Sequence, residues 1–218
     1  MTRLAKILIA GTAALILPMT QACADGSNDE SNSEILNGQV NLNAVWSNAN
    51  MNVDGVGGYV GGQSVAVGNA FEAVTMNDTS VTNNQYAGGP AIGADMTAQV
   101  TNVQGSVGLN TQAACNTADV STDPNYTIVN SSQECAAQDP SQATNATVRN
   151  VAGDVGITGS AGGNIYTEDT NAAFNYVNTN QLNEANISST TNAEVSNVGG
   201  SVTVSSAAVG NSATVIHY

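Results

Sequence analysis

Residues able to do acid–base or nucleophilic work are scarce in this chain. His217, next to last of 218 residues, is its only histidine. A two-histidine zinc site, or a single-chain Ser-His-Asp triad elsewhere, is therefore excluded by count. The glycine-rich stretch Gly57–Gly62 leads to no lysine that could hold a phosphate, and it reads as a loop. Glycoside hydrolysis needs only two carboxylates at a suitable separation. Glu168-Asp169 and Asp119 with Asp123 are the pairs on offer, and adjacent acids in polar stretches read as solvated. Calcium would find carboxylates and Asn carbonyls in plenty, but neither an EF-hand loop nor a calcium-binding glycine-rich nonapeptide is present. The sequence thus implies no catalytic residue, no cofactor and no metal, and a protein that is not an enzyme. Tyr86, Tyr126 and Tyr176 occur once per polar stretch. They could stack on sugars, but packing against strands is their expected use.

The chain opens Met1-Thr2-Arg3-Leu4-Ala5-Lys6, turns apolar from Ile7 to Leu17, and offers Ala22-Cys23-Ala24 as a cleavage site. Residues 1–24 are read as an export signal that is removed. Lipidation of Cys23 is the alternative, with Thr20 standing where a lipobox has leucine. No later stretch reaches the roughly 20 apolar residues of a membrane helix, so the mature chain is expected to lack a transmembrane segment. Cleavage leaves Arg149 as the only Lys or Arg, against 17 acidic residues. Binding to nucleic acid or to anionic lipid, both of which rest on clustered Lys and Arg, is excluded. The scattered acids keep an Asn-rich surface soluble. Cys115 and Cys135 remain as an even pair in an oxidising compartment. Joined, they would close a loop of about 20 residues and contribute roughly 3 kcal/mol; free, they would pack as small apolar groups. Residues 25–34 form an acidic polar leader expected to be disordered.

The elements come from a repeat. Asn102-Val103-Gln104-Gly105-Ser106-Val107, Asn150-Val151-Ala152-Gly153-Asp154-Val155 and Asn197-Val198-Gly199-Gly200-Ser201-Val202 share the form N-V-x-G-x-V. Ala113-Ala114-Cys115-Asn116, Ala161-Gly162-Gly163-Asn164 and Ala208-Val209-Gly210-Asn211 follow as A-x-[GC]-N, with the two asparagines always 14 residues apart. A looser first copy runs from Asn52-Val53-Asp54-Gly55-Val56 to Ala66-Val67-Gly68-Asn69, with three extra residues placed in the glycine-rich stretch. The second asparagine recurs at 69, 116, 164 and 211, a period of 47–48 residues. The modules are drawn at 52–101, 102–149, 150–196 and 197–218, within a β-repeat domain of residues 35–218. Alternation of Val103, Val107 and Leu109, and of their equivalents, marks half-buried strands. Val100, Val148 and Val195 fall on the opposite parity, which asks for a corner at Asn102, Asn150 and Asn197, since Asn tolerates left-handed backbone. The alternating residues Val40, Leu42, Ala44 and Trp46 are read as an opening strand that caps the stack. The fold class expected is all-β, a stacked repeat like a β-solenoid with about four modules, each of one large coil or two smaller ones. Asn69, Asn116, Asn164 and Asn211 sit in mainly apolar rows, where stacking would let each amide bond to the next as a ladder; the alternative is that each makes a turn.

In the blocks Val65-Ala66-Val67-Gly68-Asn69-Ala70 and Ala207-Ala208-Val209-Gly210-Asn211-Ser212-Ala213, the chain resembles surface repeat proteins of stalked alphaproteobacteria, in particular the holdfast-anchor proteins. It is also broadly similar to curlins, although its period is about twice theirs and no regular glutamine ladder is legible. The resemblance implies an exported structural protein of the bacterial cell surface, associated with the outer membrane and engaged in anchoring, adhesion or fibre assembly. Its implied partners are like subunits, outer-membrane or surface proteins, and extracellular polysaccharide. A secreted β-helical lectin or glycan-active enzyme is the alternative.

Overall fold

The computed structural model describes residues 33–136 and 139–218. The expected export signal (residues 1–24), and the expected leader as far as residue 32, lie outside the described residues; Ser33 and Glu34, counted above with the leader, open the first strand. Twelve strands follow in four sets of three. The first set is β1 (Ser33–Asn41), β2 (Val45–Val56) and β3 (Val60–Thr75), and the second is β4 (Thr79–Ala87), β5 (Ile92–Val103) and β6 (Val107–Thr122). The third is β7 (Tyr126–Cys135), β8 (Pro140–Val151) and β9 (Val155–Thr170), and the fourth is β10 (Phe174–Asn183), β11 (Ser188–Val198) and β12 (Val202–His217). Each set is one coil. Equivalent strands of successive coils pair in parallel, giving three four-stranded sheets, β1-β4-β7-β10, β2-β5-β8-β11 and β3-β6-β9-β12. The fold is all-β, a β-solenoid-like stack in which one 47–48-residue module makes one coil of three strands.

Period-2 patterning decides which residues turn inward. In β8, Gln142, Thr144, Ala146 and Val148 are buried while Asn145 and Arg149 face out. The inward residues form three apolar clusters. One, around Val100, Val103, Val107 and Ile157, joins the β5–β8 and β6–β9 faces across the corner. A second gathers Ala66, Ile92, Ala113, Cys115 and Cys135. The third gathers Val81, Ala118, Val120, Val129 and Tyr166. No single coil has enough apolar surface for a core of its own; stacking makes one.

The corner between the second and third strand of each coil explains the first motif. Asn102, Asn150 and Asn197 have φ of 56°, 56° and 55°, in the left-handed region, which reverses the inward parity between Val100 and Val103. The motif glycine is forced by proximity: a Cβ on Gly153 would lie 2.8 Å from the carbonyl oxygen of Gly105 in the coil before it. The first copy needs realignment. Asn52 pairs with Gln99, while Asp54 and Val56 pair with Thr101 and Val103, so Gly55 stands where later coils have the corner asparagine. Its φ of 72° is one that glycine adopts without strain. Gly55-Val56-Gly57-Gly58-Tyr59-Val60 is then the first motif, 14 residues run from Gly55 to Asn69 as in the other coils, and there is no insertion. The coils also open well before their motifs, so β10 and β11, drawn above largely with the third module, belong to the fourth coil. Val40 and Trp46 fall on different strands, β1 and β2, on either side of a corner and not on one capping strand.

Candidate functional site

Asn69, Asn116, Asn164 and Asn211 occupy one column on β3, β6, β9 and β12. Asn69 Nδ2 donates to Asn116 Oδ1 at 2.8 Å, Asn116 to Asn164 at 2.7 Å, and Asn164 to Asn211 at 2.8 Å. The second amide hydrogen of each of the first three goes to a carbonyl of the facing strand in the next coil: Tyr86, Glu134 and Leu182, at 2.9, 2.9 and 2.7 Å. At Asn116 and Asn164 both donors and an acceptor are thereby used, which an amide in an apolar interior requires.

A glutamine ladder, judged above to be missing, faces this column. Gln85 Nε2 donates to Gln39 Oε1 at 3.0 Å, Gln133 to Gln85 at 2.8 Å, and Gln181 to Gln133 at 2.8 Å. Each also bonds to a carbonyl of its own coil, Gln85 to Thr117 at 3.0 Å and Gln133 to Ile165 at 3.1 Å. The two columns zip the β1-β4-β7-β10 sheet to the β3-β6-β9-β12 sheet and separate two of the apolar clusters. They run in opposite senses: asparagines donate toward the C-terminal coil, glutamines toward the N-terminal one.

The corner asparagines make an exposed ladder. Asn197 Nδ2 donates to Asn150 Oδ1 at 3.0 Å, Asn150 to Asn102 at 2.9 Å, and Asn102 to the Asp54 carboxylate at 2.7 Å. Hydrogen bonds from the Thr101 hydroxyl and the Asn102 amide hold the Asp54 carboxyl below its ordinary range. The Ser201 backbone N–H, followed by the Ser201 hydroxyl, does the same for Asp154. Arg149 pairs with Glu194 of the next coil, both half-exposed or more. Cys115 and Cys135 are joined as a disulfide with Cα atoms 5.7 Å apart, tying β6 of the second coil to β7 of the third. Cys115 occupies the column where Gly68, Gly163 and Gly210 stand in the other coils. Glycine is needed at Gly163, where a Cβ would lie 2.2 Å from the Gly210 carbonyl oxygen.

Glu168 and Asp169 point to opposite faces of β9, so they cannot flank one bond. Glu168 is not solvated, as had been expected, but is wholly buried, accepting from Tyr166 Oη at 2.5 Å and from Asn175 Nδ2 at 2.9 Å. Burial, then the hydrogen bond and charge of Glu168, push the Tyr166 phenol far above its ordinary range. Asp119 is exposed on β6, and Asp123 accepts from Asn171 in the next coil. Among the described residues no group of three or more His, Cys, Asp or Glu is placed to hold a metal, and no helix is long and apolar enough to cross a membrane.

One family model, described as HfaD, holdfast attachment protein D, matches residues 20–217. The chain belongs to the holdfast attachment protein D family. Comparison with curated proteins and with solved structures found no match.

The outward face of the β1-β4-β7-β10 sheet carries an aromatic cluster. The Tyr126 and Phe174 rings stack with centroids 4.9 Å apart and planes 7° from parallel. Tyr176 pairs with Ile128 beside them, and Asn130 and Asn178 continue the face. Tyr126 and Tyr176 therefore lie on the outward face, 37% and 52% exposed. Tyr86, over Gly88, lies in the column of Glu134, so the three tyrosines form no single strip. The tyrosine in the core is Tyr166, which its sequence surroundings did not mark out.

Proposed function

We propose that this member of the holdfast attachment protein D family is an exported structural component of the bacterial cell surface, associated with the outer membrane, that holds an adhesive polysaccharide to the envelope and catalyses no reaction. The family supports the anchoring role. The observation that carries the rest is the division of labour among side chains. Interior amides are committed to hydrogen bonds between coils and between sheets, while an aromatic cluster with amide neighbours stands on the outside. Exposed aromatic faces of this kind stack against the C–H faces of sugar rings, and flanking amides bond to hydroxyls. Outer-membrane or other surface proteins would engage the remaining outward faces.

The test is made in the native cell with a tagged chain in which Tyr126, Phe174 and Tyr176 are together replaced by Ser. The tag is expected to stay accessible to a surface label while the adhesive is shed into the medium. Full retention of the adhesive would remove the aromatic cluster as its contact surface, and a tag that no surface label reaches would overturn the location.

A further inference from the structure

Two features of the outward face of the β2-β5-β8-β11 sheet are left facing solvent. The first is Trp46, the only tryptophan of the chain. It is 60% exposed, and it pairs in register with Gly93 of the next coil. Gly93 stands at an outward position and is nevertheless buried, because the indole covers it: a Cβ there would lie 2.1 Å from Cζ3 and 2.3 Å from Cε3 of Trp46. Glycine thus gives the ring a floor of backbone, and the ring keeps its other side to solvent. The second feature is a trough of about 730 Å³ that crosses the second, third and fourth coils. Thr97, Asn145 and Asn192 stand along one side and Gln99, Thr147 and Glu194 along the other, each trio a register column. Asn192 donates to Asn145 at 3.0 Å and Glu194 is paired with Arg149. The Thr97, Gln99 and Thr147 side chains make no hydrogen bond among the described residues. This is the reverse of the interior columns, whose amides spend their donors and acceptors on one another. Between the ring and the trough stand Asn48 and Asp95, register partners. The Gly93 and Thr97 columns are separated along the strand by about 13 Å.

We propose that this face binds an uncharged glycan chain, one ring of it stacked on Trp46 and the following rings carried past Asn48 and Asp95 into the trough. This rests on the reading of the chain as one that holds polysaccharide, and it adds a second contact on a face other than that of Tyr126, Phe174 and Tyr176. A sugar ring offers C–H groups to the indole face, and around its rim hydroxyls that each donate and accept. Two parallel rows of short hydroxyl and amide side chains match such a rim, whereas an apolar peptide would leave their polar atoms without partners. Charge narrows the class further. Asp95 stands two residues from Gly93 on the same face, and Arg149, the one Lys or Arg among the described residues, is committed to Glu194. An acidic glycan would meet repulsion there with no unspent cation to offset it. A chain of rings is required, because a single ring cannot reach both features.

The emission of Trp46, the only tryptophan signal of the purified chain, reads the site directly. Titration with uncharged cello-, manno- and N-acetylchito-hexasaccharides is expected to shift that emission to saturation with at least one of the three, while oligogalacturonate of the same length leaves it unchanged. Thr97→Ala combined with Gln99→Ala, which alters the trough alone, should weaken hexasaccharide affinity about tenfold or more and leave that for the matching disaccharide as it was. Gly93→Val, which takes the floor from under the ring, should abolish the emission response while circular dichroism shows the fold kept. Trp46→Ala, read by calorimetry, should lose hexasaccharide binding to the same extent. Full affinity in Trp46→Ala, an equal response to oligogalacturonate, or no response to any of the three sugars would overturn the proposal. The two glycan faces are separable, because the chain with Tyr126, Phe174 and Tyr176 replaced by Ser is expected to keep the Trp46 response in full. No response at Trp46, with adhesive still shed by that triple variant, would overturn this site alone. A response at Trp46, with adhesive retained by the triple variant, would overturn the aromatic cluster alone.

Discussion

Glu168 is the residue at which sequence and structure differ most. A carboxyl group wholly buried beside Val120 is tolerated only because Tyr166 and Asn175 each donate to it. Tyr166→Phe removes one donor and strands an oxygen in the core, at about 1–3 kcal/mol; chemical denaturation should show the loss as a lower midpoint with an unchanged slope. The alkaline limb follows from the same contact. The phenol pKa is raised in the fold above the ordinary 10.0, so its contribution is complete below about pH 10 and is lost as pH rises further. The Phe variant should show a shallower alkaline decline. Nothing in the sequence marked this pair, because an acid in a Thr-Glu-Asp-Thr string carries no sign of which face it takes until the strand's phase is known. The asparagine column was legible because its neighbours are apolar and its spacing is regular. The glutamine column sits in the polar strings Asn84-Gln85-Tyr86, Ser132-Gln133-Glu134 and Asn180-Gln181-Leu182, where an amide is unremarkable and only register with its equivalents gives it a partner.

At the scale of the element, the left-handed corner sets how each coil closes. Gly55 shows that the position asks for a backbone conformation more than for an amide. Asn150→Gly should therefore cost little, losing the exposed bonds to Asn102 and from Asn197, whereas Asn150→Val, β-branched at positive φ, should cost about 1–3 kcal/mol beyond it. Thermal midpoints of the two variants would rank them. The acid corners predict a pH dependence. Asp54 and Asp154 titrate below the ordinary 3.8 in the fold, so their contribution is present above about pH 4 and is lost as pH falls through the lower folded values. Asp154→Asn keeps an acceptor for Ser201 without titrating, and the acid-induced drop in midpoint should shrink in it. The corner was readable from the parity clash between Val100 and Val103. The first copy was misaligned because glycine and asparagine, alike in the conformation they permit, are unlike as letters.

For the whole molecule, coils that touch only their neighbours give a nearly one-dimensional solid, in which stability is a sum of coil terms and nearest-neighbour terms. Period and coil count were legible, because a repeat shows wherever it is cut. The coil boundaries were not, since the strongest motif lies at a corner within the coil. The disulfide joins the two middle coils. The central claim is that equivalent residues of adjacent coils lie directly over one another and are bonded there. A double-mutant cycle on Asn116 and Asn164, alone and together replaced by Ala and read by equilibrium denaturation, tests it most directly, with Asn69 and Asn164, two coils apart, as the reference pair. The structure predicts a coupling of about 1–2 kcal/mol for the adjacent pair and within about 0.5 kcal/mol of zero for the reference. Equal couplings for both pairs, or none for the adjacent one, would contradict it.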